Sequence, residues 1–448
     1  MTVTQPKYGR TFPLYLTPID WCFLADDSVE YPMVFYVDLD FSGRLSHDKM
    51  SEALVEACHR HPLMYSVIQR AKQNKLCWVL APEQMPEIKW GAEGEPLDFD
   101  DGDYIDIQKN TGLRIWVRES DSAARMTMQF HHSVCDGTGA YRFVGDLLAC
   151  YMQKLDCCQG KVELGEFKAS QLKIRPTKMR TLKSNEGAFT KFRKAAGEAW
   201  KQFGVRVTPL TKPPTKPESR TYPGMVKHTF SSQDLASLRS AATERGATMN
   251  DLLLCRMFQT AIKWNEANTK KQEIRILVPS DMRDQSDFEM PACNMTAYTF
   301  ITRTDKEIAD EAQLLELVRQ DTLQIKNGNL QTSFINGLTS AMAVPWFLPW
   351  LMRRNRCLAT SILSNAGDPS RRFTCRLPKR KGKVSCDEFT LEGITGVPPL
   401  RRVTRCTLSS SIYGRQLTFS MRCDPHVFTQ PESQKLLDLF CNQIRLDL

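Results

Sequence analysis

The sequence predicts an α/β chain folded as two lobes, on three observations. Its 448 residues exceed what one hydrophobic core usually fills, since single cores stop growing beyond about 250–300 residues. Strand-like and helix-like runs alternate along the chain. A basic, proline-rich stretch, ending in Thr211-Lys212-Pro213-Pro214-Thr215-Lys216-Pro217, has the composition of an exposed connection. The expected division is a first lobe over 1–165, a connection over 166–223 and a second lobe over 224–448.

The first lobe opens with a strand-like run from Tyr31 to Leu39. Ser46 then caps a helix whose apolar face is Met50, Ala53, Leu54, Ala57 and Cys58, and His61-Pro62 stops it. Two β-rich runs follow, Leu76 to Leu80 and Leu113 to Val117. The alternating Met126 to Phe130 predicts a strand that ends on His131 and His132, with a turn at Asp136-Gly137-Thr138-Gly139. Tyr141 to Leu155 then reads as a helix with Phe143, Leu147, Leu148 and Tyr151 on one face.

Inside the connection, Phe189, Phe192, Ala196, Trp200 and Phe203 fall at helical spacing amid lysines, which fits a helix packed on a lobe or one lying on a membrane surface. The second lobe begins with a strand over Val226 to Phe230 and a helix from Asp234. A helix over Met249 to Trp264, a buried strand over Ile274 to Pro279 and a last helix over Pro431 to Leu446 complete the alternation. The stretch Asn327 to Met352 carries no charge and ends in Trp346-Phe347-Leu348-Pro349-Trp350-Leu351. It is too polar and proline-broken to span a bilayer, so packing between lobes is expected, with peripheral membrane contact as the alternative.

Composition narrows the class. With 42% hydrophobic and 25% charged residues the chain can bury large cores. The first ten residues lack the apolar run of a secretory signal, so a cytoplasmic or membrane-peripheral location is expected. Fifteen cysteines, scattered without a Cys-x-x-Cys pair, read as reduced thiols with neither a disulfide framework nor a zinc site. The net charge of +9 comes from local runs: fifteen Lys and Arg against three acids between Phe167 and Lys227, and a second run from Arg371 to Lys383. Such runs are solvated faces or meet phosphates, acidic partners or anionic lipid. No nucleic-acid motif accompanies them, so no nucleic-acid partner is expected.

The chemistry concentrates in Phe130-His131-His132-Ser133-Val134-Cys135-Asp136-Gly137. With seven His and 23 Gly in the chain, chance matches to His-His-x-x-x-Asp-Gly are expected on the order of 10⁻³ or below. Histidine has an unperturbed pKa of about 6.5, which suits it to take a proton from a hydroxyl or amine near neutral pH. Taken by themselves, the residues leave this general base level with two merely hydrogen-bonded loop histidines. A nucleophilic Cys135 is a further alternative. A metal is not expected, because adjacent histidines diverge and no nearby side chain completes a tetrahedral set.

This pattern, following an apolar strand, resembles the signature of the acyltransferase superfamily that contains chloramphenicol acetyltransferase, peptide-synthetase condensation domains, plant BAHD acyltransferases, alcohol acetyltransferases and wax ester synthases. Other segments agree in order. Pro18-Ile19-Asp20 and the helix ending Arg60-His61-Pro62-Leu63 are similar to that family's opening. Gly246 to Leu254, with Asn250-Asp251, resembles the helix start of its second lobe. Val278-Pro279-Ser280-Asp281-Met282-Arg283 resembles its Val-Pro-x-x-x-Arg strand end, with Asn294 in the place of a Gly-Asn pair, and Ser364-Asn365-Ala366-Gly367 is similar to its Ser-Asn loop. Tyr65 stands where the family often has Arg, and neither Asp-Phe-Gly-Trp-Gly nor an early Pro-Leu-Trp is present, which points away from the BAHD and wax ester branches.

The resemblance implies two chloramphenicol acetyltransferase-like lobes, each a mixed β-sheet with flanking helices, and a tunnel between them. An acyl thioester would enter one mouth and a small-molecule alcohol or amine the other. His132 would be the general base, with no covalent enzyme intermediate, metal or bound cofactor. His131, Asp136 and Gly137 would support it, and Asp136 would pair with Arg283. Ser364 and Asn365 would serve the oxyanion or line the tunnel. Arg372, Arg376, Lys379, Arg380, Lys381 and Lys383 would meet the donor's phosphates, whether the co-substrate is acyl-CoA or the phosphopantetheine thioester of an acyl carrier protein. Acyl-CoA is the expected donor. Two alternatives stand beside it: a stand-alone condensation domain using carrier-bound partners, and a non-catalytic binding protein that kept the fold.

Overall fold

A computed structural model gives the fold and describes residues 11–71, 75–175, 205–215, 223–268, 270–327, 329–342, 346–352 and 355–448. The helix expected over 189–203 lies outside these residues.

Two large mixed sheets carry the chain. The first has five strands in the order Phe389–Val397, Val34–Gly43, Ala123–His131, Leu113–Glu119 and Ile88–Ala92. The second has six, in the order Thr296–Thr304, Glu273–Asp281, Ser361–Gly367, Cys406–Tyr413, Gln416–Cys423 and Met225–Phe230. Parallel pairs occur in both, Ile88–Ala92 with Leu113–Glu119 in one and Ser361–Gly367 with both of its neighbours in the other. A three-stranded sheet of Leu14–Tyr15, Leu76–Leu80 and Ser66–Arg70 flanks the first.

The local signals explain most of these elements. The helix His47–Arg60 buries Met50, Ala53, Leu54, Ala57 and Cys58 and stops at His61. Ser46 occupies its N-cap position but its side chain makes no capping bond; its N–H instead donates to the Tyr151 hydroxyl at 2.8 Å. Thr17, Ser231, Thr248 and Thr429 each close a capping box with the acid three residues on, which fixes where their helices begin. The helix after the histidines runs Gly137–Gln153, four residues earlier than periodicity suggests, because the Asp136 side chain caps it.

That helix is buried nearly all round, with Arg142 and Asp146 inside as well as Phe143, Leu147 and Leu148. Both buried charges have polar partners. Asp146 accepts from Arg60 Nε at 2.5 Å and lies 3.2 Å from His61 Nε2, while Arg142 donates to the Asp287 and Met290 carbonyls at 2.7 and 2.9 Å.

One strand crosses the expected division of the chain. The strand Phe389–Val397 comes from the C-terminal segment yet pairs antiparallel with Val34–Gly43, so the 224–448 segment builds part of the first lobe. Local periodicity finds strands but not their partners, and this partner is more than three hundred residues away. The uncharged stretch forms the helices Asn329–Met342, which packs between Pro18–Asp26 and the strand Thr296–Thr304, and Phe347–Met352, which packs on Pro18–Asp26 and on the first of the two, with Trp346 and Trp350 exposed.

Candidate active site

The strand Ala123–His131 delivers the two histidines to the junction of the lobes, and they point into different surroundings. His131 is fully buried: its Nδ1 accepts from the Ser133 N–H at 3.2 Å and its Nε2 lies 3.4 Å from Asp27 Oδ2. His132 keeps 8% exposure and is the one of the pair with access to solvent. Its N–H donates to the Met33 carbonyl at 2.7 Å, which pins the backbone to the neighbouring strand's entry.

The His132 ring is clamped from both lobes. Phe23 stacks on it, with centroids 3.9 Å apart and planes 11° from parallel, and Phe35 lies at 5.0 Å. From the second lobe, Asn294 Nδ2 donates to the His132 carbonyl at 2.6 Å and sits 3.3 Å from Nδ1. The Asn294 amide is itself oriented, because its Oδ1 accepts from the Thr296 N–H at 3.1 Å. Tyr298 meets Phe23 edge-on, extending the aromatic wall. Burial pushes His132 down from 6.5 to about 4, opposed by a hydrogen bond to its own backbone carbonyl and by the Asp136 carboxylate, so the ring is neutral at pH 7.

Asp136 faces away from His132. Its Oδ1 accepts from the Gly139 N–H at 2.8 Å, and its Oδ2 accepts from Arg283 Nη1 at 2.8 Å and the Met295 N–H at 2.7 Å. Burial opposes its charge, but Arg283 and these N–H groups outweigh that and hold the carboxyl below the usual range. Arg283 also donates to Asp281 Oδ1 at 2.9 Å and to the Cys293 carbonyl at 2.6 Å. Asp281 in turn accepts from Thr138 at 2.9 Å and lies 3.9 Å from Arg372. One buried network thus ties the His-His-x-x-x-Asp-Gly loop to the strand end of the other lobe.

The other expected residues fall in distinct places. Gly137 opens the motif helix, and a Cβ there would meet nothing closer than the Tyr141 ring at 4.0 Å. Ser364 and Asn365 sit on the strand Ser361–Gly367, and no hydrogen bond joins either to His132 among the described residues. The Asn365 amide donates to Asn250 Oδ1 at 3.2 Å and accepts from Ser410 at 3.1 Å, which brings the Asn-Asp and Ser-Asn segments together. The Cys135 thiol is fully buried and pushed well above its ordinary pKa by desolvation, which removes it as a nucleophile near neutral pH.

The basic run is a surface hairpin whose charges mostly meet acids. Arg376 lies 3.6 Å from Glu163, Arg380 3.7 Å from Asp387 and Lys383 2.6 Å from Glu392, beside Arg372 near Asp281. Lys379 reaches the Ser370 hydroxyl at 3.4 Å, and Lys381 is exposed. No helix among the described residues is long and apolar enough to cross a membrane.

Sequence reasoning did not single out Phe23, Phe35 or Tyr298 as parts of the site, nor Asp281 as the hub between Arg283 and Thr138. Phe23 follows Pro18-Ile19-Asp20 by one helical turn, a weak signal that becomes informative only with the fold in hand. Asp20 anchors that helix by accepting from Trp78 Nε1 at 3.2 Å, and its carbonyl accepts from Ser133 at 3.1 Å.

No protein-family profile matches the chain. Uncharacterized proteins from two Mycobacterium tuberculosis strains are 22% identical over 375 residues, covering 80% of this chain and 83% of theirs. Among solved structures, the trichothecene 15-O-acetyltransferase of Fusarium sporotrichioides superposes with a TM-score of 0.69 at 12% identity, over 97% of this chain and 95% of that one. Polyketide synthase associated protein 5 of Mycobacterium tuberculosis gives 0.62 at 15% identity over 96% and 97% of the two chains. The first condensation domain of the calcium-dependent antibiotic synthetase gives 0.68 at 13% identity over 97% and 96%. The chain therefore has the two-lobed, chloramphenicol acetyltransferase-like fold of the condensation domains and O-acetyltransferases, over nearly its whole length.

Proposed function

We propose that this chain is an acyltransferase that moves an acyl group from a thioester, acyl-CoA, to a small-molecule alcohol or amine, with His132 as general base. The observation that carries the reading is the state of that ring: neutral, nearly buried, stacked on Phe23 and held by Asn294 where the two lobes meet. A proton on Nδ1 would be shared with the residue's own carbonyl and leave Nε2 bare to accept a proton. As the acceptor's oxygen or nitrogen attacks the thioester carbonyl, Nε2 takes its proton and later returns it to the leaving thiolate. The oxyanion of the tetrahedral intermediate needs preorganised donors, and Ser364 and Asn365 are proposed for it.

Asp136 in this reading is a positioning residue. It holds the N-terminus of the helix Gly137–Gln153 and the Arg283 guanidinium, which together fix the loop that carries His132. Arg372, Arg376, Lys379, Arg380, Lys381 and Lys383 would receive the donor's phosphates. Arg376 and Arg380 now pair with exposed carboxylates, and such pairs are worth about 0–1 kcal/mol, so a phosphate can displace them. A starter condensation domain of similar fold, solved in complex with C8-CoA, makes a free CoA thioester a reasonable donor for this architecture.

The test is to incubate the full chain with a panel of acyl-CoAs and mixed alcohol and amine acceptors and to detect products by mass spectrometry. Wild-type protein should form an ester or amide, and His132→Ala should lose about 10²–10⁴-fold in rate. Turnover with carrier-bound donors only would favour a condensation domain. A His132→Ala protein equal to wild type in every assay would leave a binding protein.

A further inference from the structure

The sequence, without a Cys-x-x-Cys pair, predicts no zinc site, yet the fold assembles three thiols from opposite halves of the chain. Cys157 and Cys158 lie on the short turn Asp156–Cys158 just beyond the helix Gly137–Gln153. Cys386 lies just before the strand Phe389–Val397, where its N–H donates to the Phe389 carbonyl at 2.9 Å. The three Sγ atoms lie within 4.8 Å of one another, the only such group of His, Cys, Asp or Glu ligand atoms among the described residues. Cys157 Sγ is 3.6 Å from Cys158 Sγ and 3.8 Å from Glu388 Oε1.

These spacings fit a particular ion. With zinc–sulfur bonds of about 2.3 Å, the sulfurs of a tetrahedral site stand about 3.8 Å apart, and a carboxylate oxygen stands about 3.5 Å from each sulfur. Small side-chain rotations bring three thiols already within 4.8 Å to that geometry, and a rotation of the exposed Glu388, whose carboxylate touches Cys157 but lies outside that group, brings in the fourth ligand. Cys158 is buried while Cys157 and Cys386 are only partly so, which leaves a route for an ion to enter. Three thiolates and a carboxylate carry the charge of a four-cysteine site, and the Lys161 ammonium, bonded to the Cys157 carbonyl at 2.9 Å, offsets part of it. A hard cation would avoid the thiols, and copper(I) would have no use for the carboxylate.

We propose that Cys157, Cys158 and Cys386, with Glu388 as fourth ligand, bind one zinc ion that fastens the far end of the motif helix to the strand crossing from the C-terminal segment. The site is structural, at the opposite end of the helix Gly137–Gln153 from His132, and independent of any reading of the reaction. Binding releases the thiol protons to solvent and involves no redox change.

The test uses the full-length chain, reduced and purified without a metal-affinity tag, equilibrated with zinc and then desalted. Metal analysis should find about one zinc per chain, falling to about a tenth in Cys386→Ser and in Cys157→Ser. Cys375→Ser, which alters a thiol outside the cluster, should keep the full equivalent. Cobalt(II) should replace zinc and give the intense thiolate-to-cobalt charge-transfer absorption, weakened in the same two variants. Glu388→Gln should retain the thiolate band but bind zinc at least about 10-fold more weakly. The proposal is overturned if reduced wild-type protein retains no zinc, or if Cys386→Ser retains as much as wild type. It is equally overturned if non-reducing intact-mass and peptide mapping find Cys386 already joined to Cys157 or Cys158 by a disulfide. None of these readouts requires acyl transfer, so failure here is separable from failure of the proposed function.

Discussion

Burial takes the His132 ring down from 6.5 to about 4, and this has two consequences with the same sign. A base must be neutral to act, so kcat/KM should stay level from neutral pH to about pH 5 and fall only as pH approaches about 4. A limb near 6.5 in a pH–rate profile would show a solvated ring instead. The unfolded chain binds the proton near 6.5 and the folded one only near 4, so stability rises with pH across that window and is level above it. The His132 share of that loss on acidification is on the order of 3 kcal/mol, and His61, also lowered by burial, adds in the same direction. Asp136 carries a different prediction. An amide at this position can still cap the helix, but it leaves the Arg283 guanidinium with only Asp281 as a charged partner. Asp136→Asn should lower the urea midpoint by the equivalent of about 3 kcal/mol without changing the slope, and activity should fall with it. A variant as stable as wild type yet inactive would assign Asp136 a direct role.

Two glycines of the motif turn separate packing from passage at the level of the element. A Cβ on Gly139 would stand 2.7 Å from the Cys293 carbonyl oxygen and 2.9 Å from Cys135 Cβ, so the helix Gly137–Gln153 could no longer rest against the segment that carries Asn294. Gly139→Ala should cost about 1–3 kcal/mol and release the Asn294 clamp on His132. A Cβ on Gly137 meets only the Tyr141 ring edge at 4.0 Å, so Gly137→Ala should fold normally and gain up to about 1 kcal/mol of helix propensity. Thermal melts of the two variants, run beside their turnover, distinguish the positions. The elements themselves were largely legible, because helix faces such as Met50, Ala53, Leu54, Ala57 and Cys58, and capping signals such as Thr248 to Asp251, are written locally. That Asp136 meets Arg283 was legible too, since each lies in a short recognisable segment, and the same holds for the places of His132 and Asn294 in the sequence. Phe23 and Asp281 were not, because their roles arise only where distant segments meet, and no period or spacing records a ring stacked on another more than a hundred residues away. The early start of the motif helix follows from one side chain, Asp136, whose capping bond a periodicity count does not register.

Across the whole molecule the feature least legible in the sequence is a strand that the second half of the chain lends to the first lobe. The strand Phe389–Val397 forms an edge of the first sheet against Val34–Gly43, and it buries Phe389, Leu391, Ile394 and Val397 there. At about 1.5–3 kcal/mol for each buried side chain, these four account for roughly 6–12 kcal/mol, which is comparable to the whole stability of an ordinary domain. Buried ion pairs reinforce the exchange: Arg401 grips Asp26 with two nitrogens, and Arg422 meets Asp103 beneath Tyr36. Residues 1–223 expressed alone should therefore expose the edge of Val34–Gly43 and aggregate, since an unpaired strand edge templates association. Co-expression with residues 224–448 should return both pieces to a soluble stoichiometric complex, read by size-exclusion chromatography and by yield. If residues 1–223 alone instead give a soluble monomer with a cooperative urea transition, the crossing strand is dispensable to the first lobe. The Asp136–Arg283 network, in which each partner comes from a different segment, would then be what joins two independently stable bodies.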